Sequence, residues 1–407
     1  MSDIDDGTRS SFDSKPTPRP MKTYQCPKCQ SRVFFENQFC LACETQLGYL
    51  PLADVMLAVD AERGLACVEP NHPQADMSGR WSICANRAHI GCNWLAAQPD
   101  ATASAAPYCD CCRYTRTVPP LGDPANHLAW QRLEQAKRYL FYSLHRLQLP
   151  IPDQAQRSQT QCQGQSPLLG LAFEFLAELP DQQKIFTGHD TGTITINVAE
   201  ADDVKREQRR VSLHEPYRTL LGHLRHEIGH FYWELLIANS DSLEAFRQLF
   251  GDERQDYAAA LKQHYAKTDD GSWQATHISR YASAHPWEDW AETWAHYLHI
   301  NDAMDTAADW QVQMAPQITM QTAPMNTCIK PSAIYNHTDD AEFTNRLINE
   351  WLPLSQYLNA ACRSLGEADA YPFILSQPVI DKLAFVHSVI RNASPATADI
   401  KAAVGHV

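Results

Sequence analysis

The chain has 407 residues, 44% of them apolar and 20% charged, with a mean hydropathy of −0.41. That length holds two or three domains with real cores, and no run of eighteen apolar residues is present to span a bilayer. Lys plus Arg total 34 against 48 Asp plus Glu, a net charge of −14, which disfavours a general binder of nucleic acid or anionic membrane.

The opening stretch, MSDIDDGTRSSFDSKPTPRP, is acidic and rich in Ser and Pro, and it lacks the apolar segment of a secretory signal. Residues 1–20 are therefore read as a disordered extension, and the protein as cytoplasmic. Residues 21–118 read as a Cys-rich module, 119–392 as a larger domain, and 393–407 as a frayed Ala-rich tail.

Ten of the 13 cysteines lie between Cys26 and Cys112. An odd count with repeated C-x-x-C spacing points to thiolate–metal chemistry, not a disulfide framework. Cys26, Cys29, Cys40 and Cys43 form two C-x-x-C pairs, and each pair turns two sulfurs toward one ion, so a tetrahedral structural zinc is expected. Cys84, Cys92, Cys109 and Cys112 offer a second such site, with Cys111 competing for a place and Cys67, His72 and His89 nearby. Cys162, Cys328 and Cys362 are isolated and are expected to be buried free thiols. Three basic and two acidic residues between Lys22 and Leu47 are too balanced for a nucleic-acid surface.

A helical pattern covers Asn126–Leu147, with Leu128, Leu133, Ala136, Leu140 and Leu144 mostly at three- and four-residue steps. After a Gln/Ser/Pro loop (150–168), strands are predicted at Leu171–Leu176 and Thr193–Val198; in the second, β-branched residues alternate after Gly188 and Gly192. The next helix is predicted to begin at Ser212–Pro216. There Ser212 and Glu215 have capping-box spacing, and Pro216 fits a first turn. Leu220, Leu221, Leu224, Ile228, Phe231 and Leu235 form its apolar stripe. Helices follow at Leu243–His264, from Pro286 to about Ile300, at Phe343–Leu365 and at Val379–Asn392. The fold class is α+β and mostly helical.

Within the Leu220–Leu235 stripe, His226, Glu227 and His230 form H-E-x-x-H. Positions i and i+4 share a helix face, so both imidazoles can reach one zinc, and Glu227 can take a proton from the attacking water. Free His and Glu among Leu224, Ile228 and Phe231 would be costly unless paired or metal-bound. Trp233 and Leu236 stand where the extended metzincin motif requires glycine and histidine, which excludes that pattern. A third ligand is expected on the HPWEDWAETWAHYLH helix: Glu288, with Asp289 and Glu292 as alternatives, and Glu292 otherwise orienting a ligand imidazole. Tyr281 and His285 are candidate donors to the developing oxyanion. His214, His223, His296 and His299 read as structural or exposed, and Trp287, Trp290 and Trp294 as core anchors. Thr193–Val198 is offered as an edge strand that binds extended substrate.

The E-x-x-A-E spacing resembles the glutamate helix of gluzincins. More broadly, CPKC…CLAC with FFEN between, CNWLAA, LEQAKRYLFYSL, TGHDTGTITINVAEAD, EPYRTLLGHLRHEIGHFYWE and HPWEDWAETWAHYLH make the chain resemble a bacterial family of zinc-binding metallopeptidases with an N-terminal zinc ribbon. The resemblance spans most of residues 24–390 and implies a gluzincin-like zinc site. The resulting expectation is a zinc-dependent peptidase acting on a peptide or protein, with Zn2+ at one catalytic and one or two structural sites and a protein partner at the ribbon. Two other readings stay open: a zinc-stabilised adaptor without catalysis, and a hydrolase of a non-peptide amide.

Overall fold

A computed structural model describes residues 22–67, 80–98, 107–154, 169–178, 184–213, 219–315, 328–334 and 338–394. Residues 1–20, the 393–407 tail beyond 394, the loop beyond 154, Cys162, His72, His214, Glu215 and Pro216 lie outside the described residues.

Short strands build the Cys-rich region. β1 (Thr23–Gln25) pairs with β2 (Arg32–Phe34), and β3 (Leu47–Leu50), β4 (Val55–Val59) and β5 (Ala66–Cys67) form an antiparallel sheet. β6 (Trp81–Ile83) pairs with β7 (Leu95–Ala97), and the short α1 (Arg87–Ile90) lies between them. β8 (Thr115–Thr117) then leaves this region and joins the sheet of the larger segment. The predicted boundary at 118 thus falls at the end of a strand that already belongs to the next sheet.

α2 (Pro124–Arg146) matches the predicted helix; Asp123 caps it by accepting from the Ala125 amide, and Pro124 occupies its first turn. It is the crossover between β8 and the parallel β9 (Ala172–Leu176). β10 (Gly188–Asp190) and β11 (Thr193–Asn197) form a hairpin closed by Thr191 and Gly192, both at positive φ (47° and 85°). Two successive left-handed residues give the tight turn whose twist suits a two-residue hairpin. The sheet order is β10-β11-β9-β8. The predicted edge strand, Thr193–Val198, is therefore internal, pairing with β9 on one side and β10 on the other. The edge on the β11 side is β10, whose three residues are too few to show a period of two.

α3 (Asp203–Leu213) contains Ser212, so the predicted capping box does not open the next helix. That helix, α4 (Leu220–Leu236), begins at Thr219, whose hydroxyl accepts from the Gly222 amide at 2.9 Å. The single helix predicted over Leu243–His264 is two, α5 (Leu243–Phe250) and α6 (Tyr257–Ala266). Gly251, at φ 102°, ends the first, and Asp256 caps the second. α7 (Pro286–Asp309) runs beyond its predicted end. α8 (Asp340–Arg346) and α9 (Leu352–Ser364) are joined by a π-type turn at Leu347–Trp351; Pro353, in the first turn of α9, has no amide to donate. α10 (Gln377–Ala393) completes the bundle. Cys328 is exposed and Cys362 half-buried, so neither is the buried thiol expected.

One hydrophobic core joins the two regions. Phe35 of the Cys-rich region packs against Tyr139 and Tyr142 of α2, at 5.4 Å from each ring. Polar contacts follow the same seam: the Thr23 amide and hydroxyl donate to Asp309 at the end of α7, and Arg146 bridges Asp54 and Asp305.

α4 and α7 approach most closely at Gly229. A Cβ there would lie 3.0 Å from Ala291 Cα and 3.2 Å from Trp294 Cβ. Trp290 Nε1 donates to the Gly229 carbonyl at 2.8 Å, and Tyr232 stacks on Trp294 at 4.8 Å. Trp290 and Trp294 are core anchors, as predicted. In an isolated helix, replacing glycine stabilises; here backbone opposes the new side chain. Gly229→Val should lower stability by about 2 kcal/mol in denaturant unfolding, where a loosely packed α4–α7 contact would show no loss.

His296 is buried, its Nδ1 is hydrogen-bonded to the Tyr371 hydroxyl at 2.9 Å, and burial lowers its pKa to about 4. The neutral ring suits the fold, whereas the unfolded chain binds a proton below about 6.5. Stability should accordingly fall as pH drops from about 6.5 toward 4, and His296→Leu should flatten part of that slope in thermal melts recorded across the range.

Candidate metal centres

Each C-x-x-C knuckle is built by local backbone geometry. The Gln30 amide donates to the Cys26 carbonyl at 2.9 Å and the Glu44 amide to the Cys40 carbonyl at 2.8 Å. Gln30 and Glu44 both sit at positive φ (63° and 57°), a turn that aims two sulfurs the same way. Cys26 and Cys43 sulfurs lie 3.6 Å apart, and those of Cys29 and Cys40 3.5 Å. Four sulfurs about 2.3 Å from one zinc would be spaced by about 3.8 Å, whereas a disulfide needs about 2.05 Å.

The second quartet is drier. Cys84, Cys92, Cys109 and Cys112 are all buried, with Cys92 3.7 Å from both Cys109 and Cys112. Backbone amides of Asn86 and Cys109 point at the Cys84 sulfur, and that of Cys112 at the Cys109 sulfur. Cys111 is buried beside this quartet without joining it; Cys67 and His89 are exposed and outside it.

The third cluster lies where α4 meets α7. His226 Nε2, His230 Nε2 and Glu288 Oε2 form a triangle with sides of 3.2, 3.0 and 3.6 Å. Donors placed tetrahedrally about 2.05 Å from one ion would be about 3.3 Å apart. The three atoms fit a zinc ion with one corner left open. His226 Nδ1 bonds Glu292 Oε1 at 2.7 Å, and the other Glu292 oxygen accepts from the Ser279 hydroxyl at 2.6 Å. That bond turns the His226 Nε2 lone pair toward the cluster. Burial opposes charge on Glu292, but His226 outweighs it and lowers the Glu292 pKa to about 2.

Asp289 turns away from the triangle; its carboxylate is paired with Lys382 of α10 at 2.6 Å. Consecutive helical residues point about 100° apart, so 288 and 292 share a face that 289 does not. His285 is committed to structure: its Nδ1 accepts from the Trp287 amide at 3.1 Å, leaving Nε2 to donate to the Gln255 carbonyl at 3.2 Å. Trp287 is half-buried, its ring 4.0 Å from that of His230, so it shields a candidate ligand instead of filling the core. His223 lies 3.4 Å from Glu200, and His299 contacts Arg225.

Glu227 is nine-tenths buried and makes no hydrogen bond among the described residues. Tyr281 is half-buried, its ring 5.8 Å from that of His226. Tyr257 of α6, to which no motif in the sequence pointed, donates from its hydroxyl to Glu288 Oε1 at 2.6 Å. Burial and the Glu288 carboxylate both raise its pKa. Glu288 is thus held by one oxygen while the other faces the imidazoles. No motif pointed to Tyr257, because 31 residues separate it from its partner.

Two thiolate tetrads and an H-E-x-x-H helix beside a glutamate helix define a zinc-binding protein of mixed α and β structure. The chain belongs to the family described as "Putative zinc-binding metallo-peptidase", whose profile matches residues 126–389, and a zinc-ribbon domain profile matches residues 23–123. Uncharacterized proteins of Mycobacterium bovis and of two Mycobacterium tuberculosis strains are 41% identical to it over 376 residues, covering 92% of this chain and 97% of theirs. No solved structure matches. No helix among the described residues is long and apolar enough to cross a membrane.

Three clusters should hold about three zinc ions per chain by elemental analysis. Glu288→Ala should lose one equivalent and leave the other two in place; unchanged zinc content in that variant would remove Glu288 from the donor set.

Proposed function

We propose that the chain is a zinc-dependent peptidase whose catalytic ion is held by His226, His230 and Glu288, with the two cysteine tetrads holding structural zinc. The observation that supports this most is the triangle of donor atoms, with the unpaired Glu227 carboxylate one residue from the first imidazole. Zinc bound there supplies a Lewis acid that polarises the scissile carbonyl and acidifies water.

The chain's own groups do the rest. Glu227 accepts the proton of the attacking water and passes it to the departing amine nitrogen. Tyr281, whose ring lies 5.8 Å from that of His226, donates toward the oxygen on which negative charge develops. Glu292 keeps His226 in the tautomer that presents Nε2. β10, the outer strand of the sheet, offers backbone groups to an extended peptide, and His189 on it lies 6.4 Å from the His230 ring.

A non-catalytic adaptor would have no use for Glu227, and a small-amide hydrolase would have no use for an open strand edge. Glu227→Gln should retain all its zinc and lose peptide hydrolysis by about 10²–10⁴-fold, assayed on a mixed peptide library with a panel of small amides alongside. Wild-type protein that is fully zinc-loaded yet cleaves no peptide would sink the proposal, and cleavage confined to small amides would redirect it.

A further inference from the structure

We propose that Arg138, assisted by Lys137, supplies the counter-charge for the second thiolate centre, making the metal at Cys84, Cys92, Cys109 and Cys112 a joint between the ribbon region and the peptidase segment. The starting point is a buried cation without a carboxylate. Arg138 on α2 is only 5% exposed, its Nη1 is buried without a hydrogen-bond partner, and it forms no ion pair among the described residues. A guanidinium does not shed its proton to escape burial, so it must face negative charge.

Glu134, one helical turn before Arg138 on α2, is already engaged. Glu134 pairs with Lys137 at 2.9 Å and also accepts from Trp130 Nε1 and the Thr115 hydroxyl. Arg138 lies on the α2 face that runs from Gln131, bonded to the His89 carbonyl, to Phe141 and His145, whose rings meet Tyr114 and Trp94, two residues beyond Cys112 and Cys92, and the sulfurs of Cys92 and Cys112 favour its charge against burial. Four thiolates around one divalent ion carry a formal double negative charge, and a dry site needs that charge balanced.

The first tetrad makes the contrast. Its Cys29 is exposed and its Cys43 half-buried, so water can screen it. The second is sealed against α2. His127 and Gln131 of that helix bond the His89 carbonyl, between Cys84 and Cys92, at 2.8 and 2.9 Å. Three residues after Cys112 the chain enters β8 of the peptidase sheet. Loss of the ion would leave Arg138 and Lys137 facing Glu134 alone.

The test uses the full chain and needs no activity assay, so its outcome is independent of the peptidase proposal. Zinc content and zinc release to excess chelator are measured for wild type, Arg138→Met and Arg138→Lys. Arg138→Met should release one equivalent about 10- to 100-fold faster than wild type, the others being unaffected, and Arg138→Lys should restore most of the retention. Arg138→Met releasing every equivalent at wild-type rates would overturn the proposal. Should Arg138→Met not fold, hydrogen exchange on wild type decides. Stripping the buried equivalent should raise exchange in residues 130–141, and unchanged protection there would equally refute it.

Discussion

The contact on which the site depends is the backbone-to-backbone approach of α4 and α7 at Gly229. With a hydrogen where other residues carry Cβ, α7 settles against the turn between His226 and His230, and Trp290 locks it there through the Gly229 carbonyl. This close approach sets the rotation of α7 as well as its distance. Glu288 and Glu292 then face the two imidazoles, while Asp289 swings out to Lys382. A slightly wider separation would leave the carboxylates out of reach of both rings, because a glutamate side chain is short.

Several buried charges are paired across elements. Arg225, adjacent to His226, is bound to Asp302, which also accepts from Ser143 of α2 at 2.6 Å. Arg146 and Tyr142 reach Asp305, and Arg146, Lys22, Tyr24 and Tyr49 converge on Asp54. The links of Arg225, Ser143, Tyr142 and Arg146 join segments distant in sequence, and an interior of low polarity makes such links costly to open singly. α4 is therefore anchored near its start by a polar chain that runs into the Cys-rich region.

That chain changes the picture of the ribbon. A small metal-stapled module at the head of a chain reads as an appendage, yet Phe35 lies in the same core as α2, β1 is tied to the end of α7, and β8 belongs to the larger sheet. The two regions are fastened by apolar packing, ion pairs and strand pairing at once.

What could be read without coordinates was what local periodicity encodes. The C-x-x-C turns, the i and i+4 histidines, the amphipathic stripe of α4 and the alternating Thr193–Asn197 strand each express their geometry within a few residues. The break at Gly251 and the start at Thr219 were harder, since a glycine in a helical pattern does not announce whether its φ will turn positive. Tyr257, the role of Gly229, the edge position of β10 and the choice between Glu288 and Asp289 were decided only by the tertiary structure. They depend on how α4, α6, α7 and the sheet are placed relative to one another, and that placement comes from long-range packing that no single segment carries.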